Sequence, residues 1–295
     1  MFGDVKLHEA LVIYLGTTKA KLKSCQACLN SVCYSRSRIV DGIKFSGQLA
    51  IDRSSNILYF HYKNRSIDFT AAFDINNARL QTLSNISFSF GHAVDQKTNE
   101  LFMTGAKGLY RYYPTQNVIK LYGLTDKTIW HLQYEDKLYY SEFQKKGIYT
   151  YVDKKSKIIQ GTNYQIDDFI IDKRGDIYFM HNYTTYLLKN GSQSAEIFED
   201  EIYSLTIDKN GDAYFIQPFT RAIYKMIYNT ERRVLKEFGA FRSGSAFKVI
   251  FDGDNDIIYY DGTDKKLYYL SPTMNRCVVR TKSIGRNMKK RIRMF

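Results

Sequence analysis

Six residues stand four places ahead of a recurring aspartate position: Gln48, Gly91, Trp130, Asp168, Ser204 and Lys248. Most are polar and most are followed by an apolar residue, which is the make-up of a pocket mouth with a few polar groups on an apolar lining. Such a ring also serves simply as the hydrated wall of a channel. Trp130, the only tryptophan, brings a broad stacking face, and Lys248 brings a cation. His92 and His131 share the next place along, three ahead of the aspartate position. They read either as a ligand-binding pair or as histidines packed between repeats. No third ligand stands in that column, so a metal site is not expected.

A second group falls in the loops beyond the next strand: His61, Tyr62, Arg65, Lys107, Glu142, Lys145, Lys146, His181, Gln217, Phe219, Arg221 and Asp261. Cations outnumber anions there. Aromatic faces beside Arg or Lys suit a planar, anionic small molecule, although exposed loops are commonly charged for solvation alone. The candidate ligand-binding residues are therefore Gln48, Trp130, Asp168, Ser204, Lys248, His61, His181, Gln217 and Arg221. Catalytic signatures are missing: the sequence holds no Gly-x-Ser-x-Gly elbow, no His-Glu-x-x-His and no glycine-rich phosphate cradle. Binding without turnover, with no cofactor, is the expectation.

The elements that must carry these residues are legible as repeats. An apolar run, an aspartate, a short turn and an apolar-aromatic run recur at Ala50-Ile51-Asp52 to Leu58-Tyr59-Phe60, Ala93-Val94-Asp95 to Leu101-Phe102-Met103, Ile170-Ile171-Asp172 to Ile177-Tyr178-Phe179, Thr206-Ile207-Asp208 to Ala213-Tyr214-Phe215 and Ile250-Phe251-Asp252 to Ile258-Tyr259-Tyr260. A sixth, degenerate copy has Tyr134 in place of the aspartate and runs on to Leu138-Tyr139-Tyr140. The aromatic column Tyr59, Phe102, Tyr139, Tyr178, Tyr214, Tyr259 advances by 43, 37, 39, 36 and 45 residues. A period near forty made only of short strands predicts an all-β, six-bladed β-propeller with four antiparallel strands per blade, over about residues 46–280. The aspartates are expected to cap turns rather than hold calcium, with Gly175, Gly211 and Asn99 supplying the tolerant backbone. Hydrolytic lactonases of this architecture hold calcium at the channel mouth. Here only Asp168, with Asp167 beside it, offers oxygens in the ring, too few for six or more ligands.

Tyr and Phe are abundant at 25 and 19 and proline is scarce at three, a bias that favours strands. The last sixteen residues, 280–295, hold seven of the excess positive charges and no acid, and read as a solvated basic tail. Nucleic-acid binding does not follow from that charge alone. No apolar run is long enough to span a membrane, and the stretch Ala10 to Gly16 is a poor signal peptide. Residues 1–45 form an N-terminal segment with a cysteine cluster, Cys25, Cys28 and Cys33; Cys277 stands alone near the other end. Four cysteines are compatible with two disulfides, and the spacing makes a poor zinc site. The last blade reads as complete from the C-terminal side, so a bridge from the cluster to Cys277 is expected to close the ring. Cys33 is the first choice of partner, with Cys25 and Cys28 left to pair locally. Asn64, Asn85, Asn182 and Asn190 are glycosylation sequons, each in a predicted turn.

The cysteine cluster leading into Asp41-Gly42-Ile43, the six Asp-turn-aromatic copies, the motif Ala50 to Phe60 and the late Cys277 together resemble the ommochrome-binding proteins of insect haemolymph, over about residues 25–280. The resemblance implies a secreted carrier of tryptophan-derived aromatic acid pigments, such as ommatins, and a monomer is expected. No binding residue is carried over from that family.

Overall fold

The computed structural model describes residues 25–65, 67–84, 86–217, 219–228 and 233–277. Asn85 and the basic tail lie outside the described residues, as does the poor signal stretch. An N-terminal hairpin, β1 (Ala27–Leu29) and β2 (Val32–Arg38), precedes the repeats. The first sheet holds β3 (Lys44–Asp52), β4 (Ile57–Asn64), β5 (Ile67–Asp74) and β6 (Arg79–Ser84). The second holds β7 (His92–Asp95), β8 (Glu100–Gly105), β9 (Gly108–Tyr113) and β10 (Val118–Gly123). The third comprises β11 (Ile129–Tyr134), β12 (Leu138–Glu142), β13 (Ile148–Val152) and β14 (Lys155–Ile158). The fourth comprises β15 (Asp168–Ile171), β16 (Ile177–His181), β17 (Thr184–Leu188) and β18 (Glu196–Asp200). The remaining strands are β19 (Ser204–Ile207), β20 (Ala213–Gln217), β21 (Ala222–Tyr228), β22 (Arg233–Phe241), β23 (Ala246–Phe251), β24 (Ile257–Asp261) and β25 (Lys266–Arg276).

All pairings are antiparallel, and the first strands of the repeats neighbour one another in a closed ring: β3, β7, β11, β15, β19, β23 and back to β3. The sheets pack face to face around that ring. Ala93 and Phe102 of one sheet meet Leu132, Leu138 and Tyr140 of the next, and Tyr178 meets Phe215 edge-on at 5.1 Å. Burial on both faces is why these strands read as apolar runs rather than strict alternations.

The seam differs from the sequence expectation. The separate last sheet is instead part of one nine-stranded sheet, ordered β19-β20-β21-β22-β1-β2-β25-β24-β23. β2 is the outer partner of β25 (Arg36 opposite Leu270), and β1 joins β2 to β22 (Cys28 opposite Ala240). The N-terminal segment therefore supplies strands from Ala27 onward, ahead of the boundary read at residue 46. The chain exchanges a strand after all, because Val32–Arg38 hides its inward residues Cys33 and Ser35 against β25 while Arg36 lies 4.4 Å over the Tyr268 ring.

The disulfides are corrected as well. Cys28, not Cys33, bonds Cys277, and Cys33 bonds Cys25 across the β1–β2 hairpin. Residue 28 lies on β1, and the Cys277 amide donates to Ser31 O at 3.0 Å, which sets the end of β25 beside that hairpin.

The aspartate column caps turns. Asp172 Oδ1 accepts from the amides of Arg174 and Asp176 at 2.9 and 3.0 Å, Asp208 Oδ1 from Asn210 and Asp212, and Asp252 Oδ1 from Asp254 and Asp256. Asn99, Gly175 and Gly211 take φ of 61°, 76° and 72° in these turns, the left-handed region that Gly and Asn tolerate. Where the column has Tyr134, that ring stacks on Phe102 of the neighbouring sheet at 5.2 Å.

Candidate functional site

The inner strands enclose a cavity of about 330 Å³. That is within the range of small-molecule sites. One end, the turn end, carries the capped aspartate turns. The other, the loop end, carries the entries into the inner strands and the hairpins between second and third strands.

The polar layer lies at the loop end of the inner strands. Gln48, Asp168, Ser204 and Lys248 line the cavity, together with Leu49, Leu132, Phe169, Leu205 and Val249. Gln48 is not free to take a ligand: its Nε2 donates to Leu132 O at 2.7 Å, and its Oε1 accepts from the amides of Leu132 and His92 at 3.1 and 3.3 Å. It reaches β11 by crossing β7 at Gly91. A Cβ there would sit 2.9 Å from Thr104 Cγ2 and 3.3 Å from Trp130 O, so the neighbouring strands close over the glycine.

The opposite side repeats the device with charge. Lys248 Nζ on β23 lies 3.4 Å from Asp168 Oδ2 on β15, and His131 Nδ1 lies 3.1 Å from Asp168 Oδ1. Burial would raise the Asp168 carboxyl, but Lys248 and then His131 outweigh it and bring it down to about 2. Asp168 is thus a buried, paired anion whose oxygens are already occupied. Among the described residues no group of three His, Cys, Asp or Glu side chains is placed to share a metal ion. A calcium cage does not fit this donor set.

The histidines are structural in their contacts. His92 is buried, with Nδ1 3.2 Å from Gln48 O and Nε2 3.2 Å from Ser89 Oγ, and burial pushes it down to about 3. His61 is fully buried between Ser46 and Asp68, with Nε2 3.0 Å from Asp68 Oδ1; burial lowers its pKa, and Asp68 opposes the shift. His181 Nδ1 lies 2.9 Å from Gln165 O, Gln217 Oε1 accepts from Thr220 Oγ1 at 3.0 Å, and Arg221 Nη1 donates to Arg242 O at 2.8 Å. His61, His181, Gln217 and Arg221 belong to the loop end but do not line the cavity, whereas His92 does.

Trp130 stands in the same layer and faces the loop end. Its Nε1 donates to Asp167 O at 3.2 Å. Its ring is the centre of an aromatic run: Phe88 to Phe90 at 6.3 Å, Phe90 to Trp130 at 6.5 Å and Trp130 to Phe143 at 5.2 Å. Asp167 Oδ2 accepts from the Asn182 amide at 2.8 Å, and the adjoining Tyr183 begins a second run through Tyr203 to Phe219, each step 5.0 Å. Phe88 is 62% exposed, Phe143 46%, Tyr183 62% and Phe219 75%. Large rings left in water this close together mark a contact surface rather than scattered exposure. Lys107, Lys146 and Arg221 are exposed at the same end. Lys145 and Lys127 are spent on Glu142, at 2.7 and 3.1 Å.

Sequence reading missed Phe88, Phe90 and Phe143, which lie in irregular loop segments outside the repeat. It also missed the turn end, where Arg53, Gln96 and Lys209 line the cavity. The residue directly after the column aspartate was a usable signal: it is Arg53, Gln96, Lys173 and Lys209 in four of the copies. Arg53 crosses beneath the channel to Phe251 O at 3.2 Å and Ile207 O at 3.0 Å. Burial lowers the Arg53 guanidinium and raises the Glu135 carboxyl opposite it, each partly offset by the other.

The repeats, the ring of inner strands and the central cavity define a β-propeller. Among known proteins the chain is similar to the ommochrome-binding protein of Manduca sexta, at 22% identity over 246 residues, covering 81% of this chain and 88% of that protein. Its fold is similar to that of a gluconolactonase from Xanthomonas campestris, with a TM-score of 0.61 at 10% identity over 84% of this chain and 95% of the other. A virginiamycin B lyase from Staphylococcus aureus gives a TM-score of 0.54 at 9% identity over 82% and 89%. No protein-family model matches.

Proposed function

We propose that this protein binds and carries a planar, aromatic, acidic small molecule of the ommochrome type, and that it works by binding rather than turnover. The observation that carries the reading is the aromatic run Phe88–Phe90–Trp130–Phe143 at the loop end, its outer rings Phe88 and Phe143 exposed and its inner rings half-buried, with the exposed cations Lys107, Lys146 and Arg221 at the same end. Flat rings with nearby Lys and Arg offer stacking and charge to a planar anion. The similarity to an ommochrome-binding protein supports the same ligand class.

The blade count belongs to this reading. The nine-stranded sheet divides at β1 into two four-stranded units, β19–β22 and β23–β25 with β2, which with the other four sheets makes six blades around the six inner strands. Two disulfides and the sequons support a secreted glycoprotein that works as a monomer in haemolymph. Asn64 and Asn182 are exposed between second and third strands, and Asn190 between third and fourth, where a glycan projects into solvent. Among the described residues no helix is long and apolar enough to cross a membrane. A lactonase-like hydrolase shares the fold alone, and the pairing of Asp168 with Lys248 and His131 leaves it without a metal-binding set.

Titration of the purified full chain with an ommatin tests the reading. Quenching of Trp130 emission together with a shifted visible spectrum is the expected outcome. An unchanged emission and spectrum at saturating pigment would sink it.

A further inference from the structure

The layer that holds Trp130 contains an orphan. Ser204 is 1% exposed, lines the cavity, and its Oγ has no hydrogen-bond partner. A buried hydroxyl left unmade is costly, so its retention calls for an occupant. β19 lies between β15 and β23 in the ring. Lys248 on β23 reaches Asp168 on β15, and β19, which carries Ser204 at the equivalent place in its repeat, is the strand between those two. An ammonium carries three donors, and the 3.4 Å contact with Asp168 engages one of them. The Asp168 oxygens are taken by Lys248, by His131 and by the Phe169 amide at 2.9 Å. What the layer offers here is an ammonium with donors to spare and a hydroxyl free to donate, beside a carboxylate whose oxygens are already engaged.

We propose that the Lys248 ammonium and the Ser204 hydroxyl form an anion subsite, and that it takes the carboxylate of an aromatic acid whose ring system extends toward Trp130. The proposal builds on the binding function above and names the anchor for the ligand's charge. A planar two-oxygen group matches two donor side chains. A phosphate would set a third oxygen beside the Asp168 carboxylate, and a cationic ligand would meet Lys248. The neighbouring Gln48, with its amide satisfied by β7 and β11, leaves the opposite side of the layer without comparable donors.

Calorimetric titration of the full chain with naphthoate and with the neutral naphthyl methanol tests this. Naphthoate is expected to bind at least about tenfold more tightly than the alcohol, the scale of a hydrogen bond to a charged group. Ser204→Ala is expected to lower naphthoate affinity about tenfold while leaving alcohol binding unchanged, with a free-protein Tm no lower than that of the parent, because it removes an unpaired buried hydroxyl. Lys248→Met is expected to abolish the preference for the acid. Equal binding of acid and alcohol, no naphthoate heat at millimolar concentration, or full affinity in Ser204→Ala each overturns the subsite. Ser204-dependent naphthoate binding in a protein whose Trp130 emission an ommatin leaves unchanged would sink the pigment reading and leave the subsite standing. Ommatin binding indifferent to Ser204→Ala would do the reverse.

Discussion

At the turn end of the channel, one arrangement recurs in sheet after sheet: an aspartate, two or three turn residues and a tolerant Gly or Asn. At the loop end, the position four places ahead of the aspartate column holds six different residues, Gln48, Gly91, Trp130, Asp168, Ser204 and Lys248. In a repeat fold, what every copy keeps is what each copy needs to fold, and what a single copy holds is free to serve a ligand. The exposed aromatics lie at the unrepeated end. One unrepeated feature nevertheless serves the fold: the seam, where β1 and β2 bridge the last two groups of strands and Cys28–Cys277 ties them.

The seam gives the strongest way to break that division. The bond spans a sequence separation of 249, and the loop-entropy account gives it about 5.5 kcal/mol. Replacing both cysteines by serine is expected to lower urea-unfolding stability by about 4 kcal/mol, less if the strand exchange already restrains the unfolded chain. A loss below about 1 kcal/mol would mean that the strands alone hold the ring.

The pH dependence of stability comes next. His92 has its folded pKa depressed to about 3, so the unfolded chain takes up a proton from about pH 6.5 downward while the folded chain stays neutral there. Its contribution is present above pH 6.5 and is lost as pH falls through the folded value, at about 1.4 kcal/mol per unit, or roughly 3 kcal/mol by pH 4. Asp168, depressed to about 2, adds a further loss between about pH 4 and 2. Chemical denaturation from pH 7 to 4 should show the decline, and His92→Gln should flatten it. An unaltered slope in that variant would show that other groups carry it.

At the turn end, Asp252→Ala removes an acceptor held by the amides of Asp254 and Asp256 and by the Tyr269 hydroxyl at 2.7 Å. A cost of about 2–3 kcal/mol in stability is expected, with ligand affinity little changed. The smallest stability effect belongs to Phe143→Ala at the loop end. That ring is half-exposed and touches Trp130, so unfolding should shift by less than about 1 kcal/mol while ommatin affinity falls about tenfold. If the two variants exchanged their effects, the assignment of folding to one end and binding to the other would be wrong.

Much of this was legible in the residues themselves. The Asp-turn-aromatic repeats mark the inner and second strands because turn caps and strand alternation are local: each depends on residues a few places apart. The polar layer was legible for the same reason, since a fixed offset from a repeated turn places residues at one height. Contacts between repeats were not. Nothing in the spacing of Gln48 tells that its amide crosses Gly91 to β11, that Lys248 pairs with Asp168 two strands away, or that His61 is shut between Ser46 and Asp68. The choice of Cys28 over Cys33 also lay beyond the sequence. Both sit within one short hairpin, and only the pairing of β1 with β22 and of β2 with β25 decides which sulfur meets the chain arriving from the last sheet. Local chemistry fixed the units and their order; the closing of the ring, which brings residue 28 against residue 277, decided the rest, because contacts at that separation arise only from the packed whole.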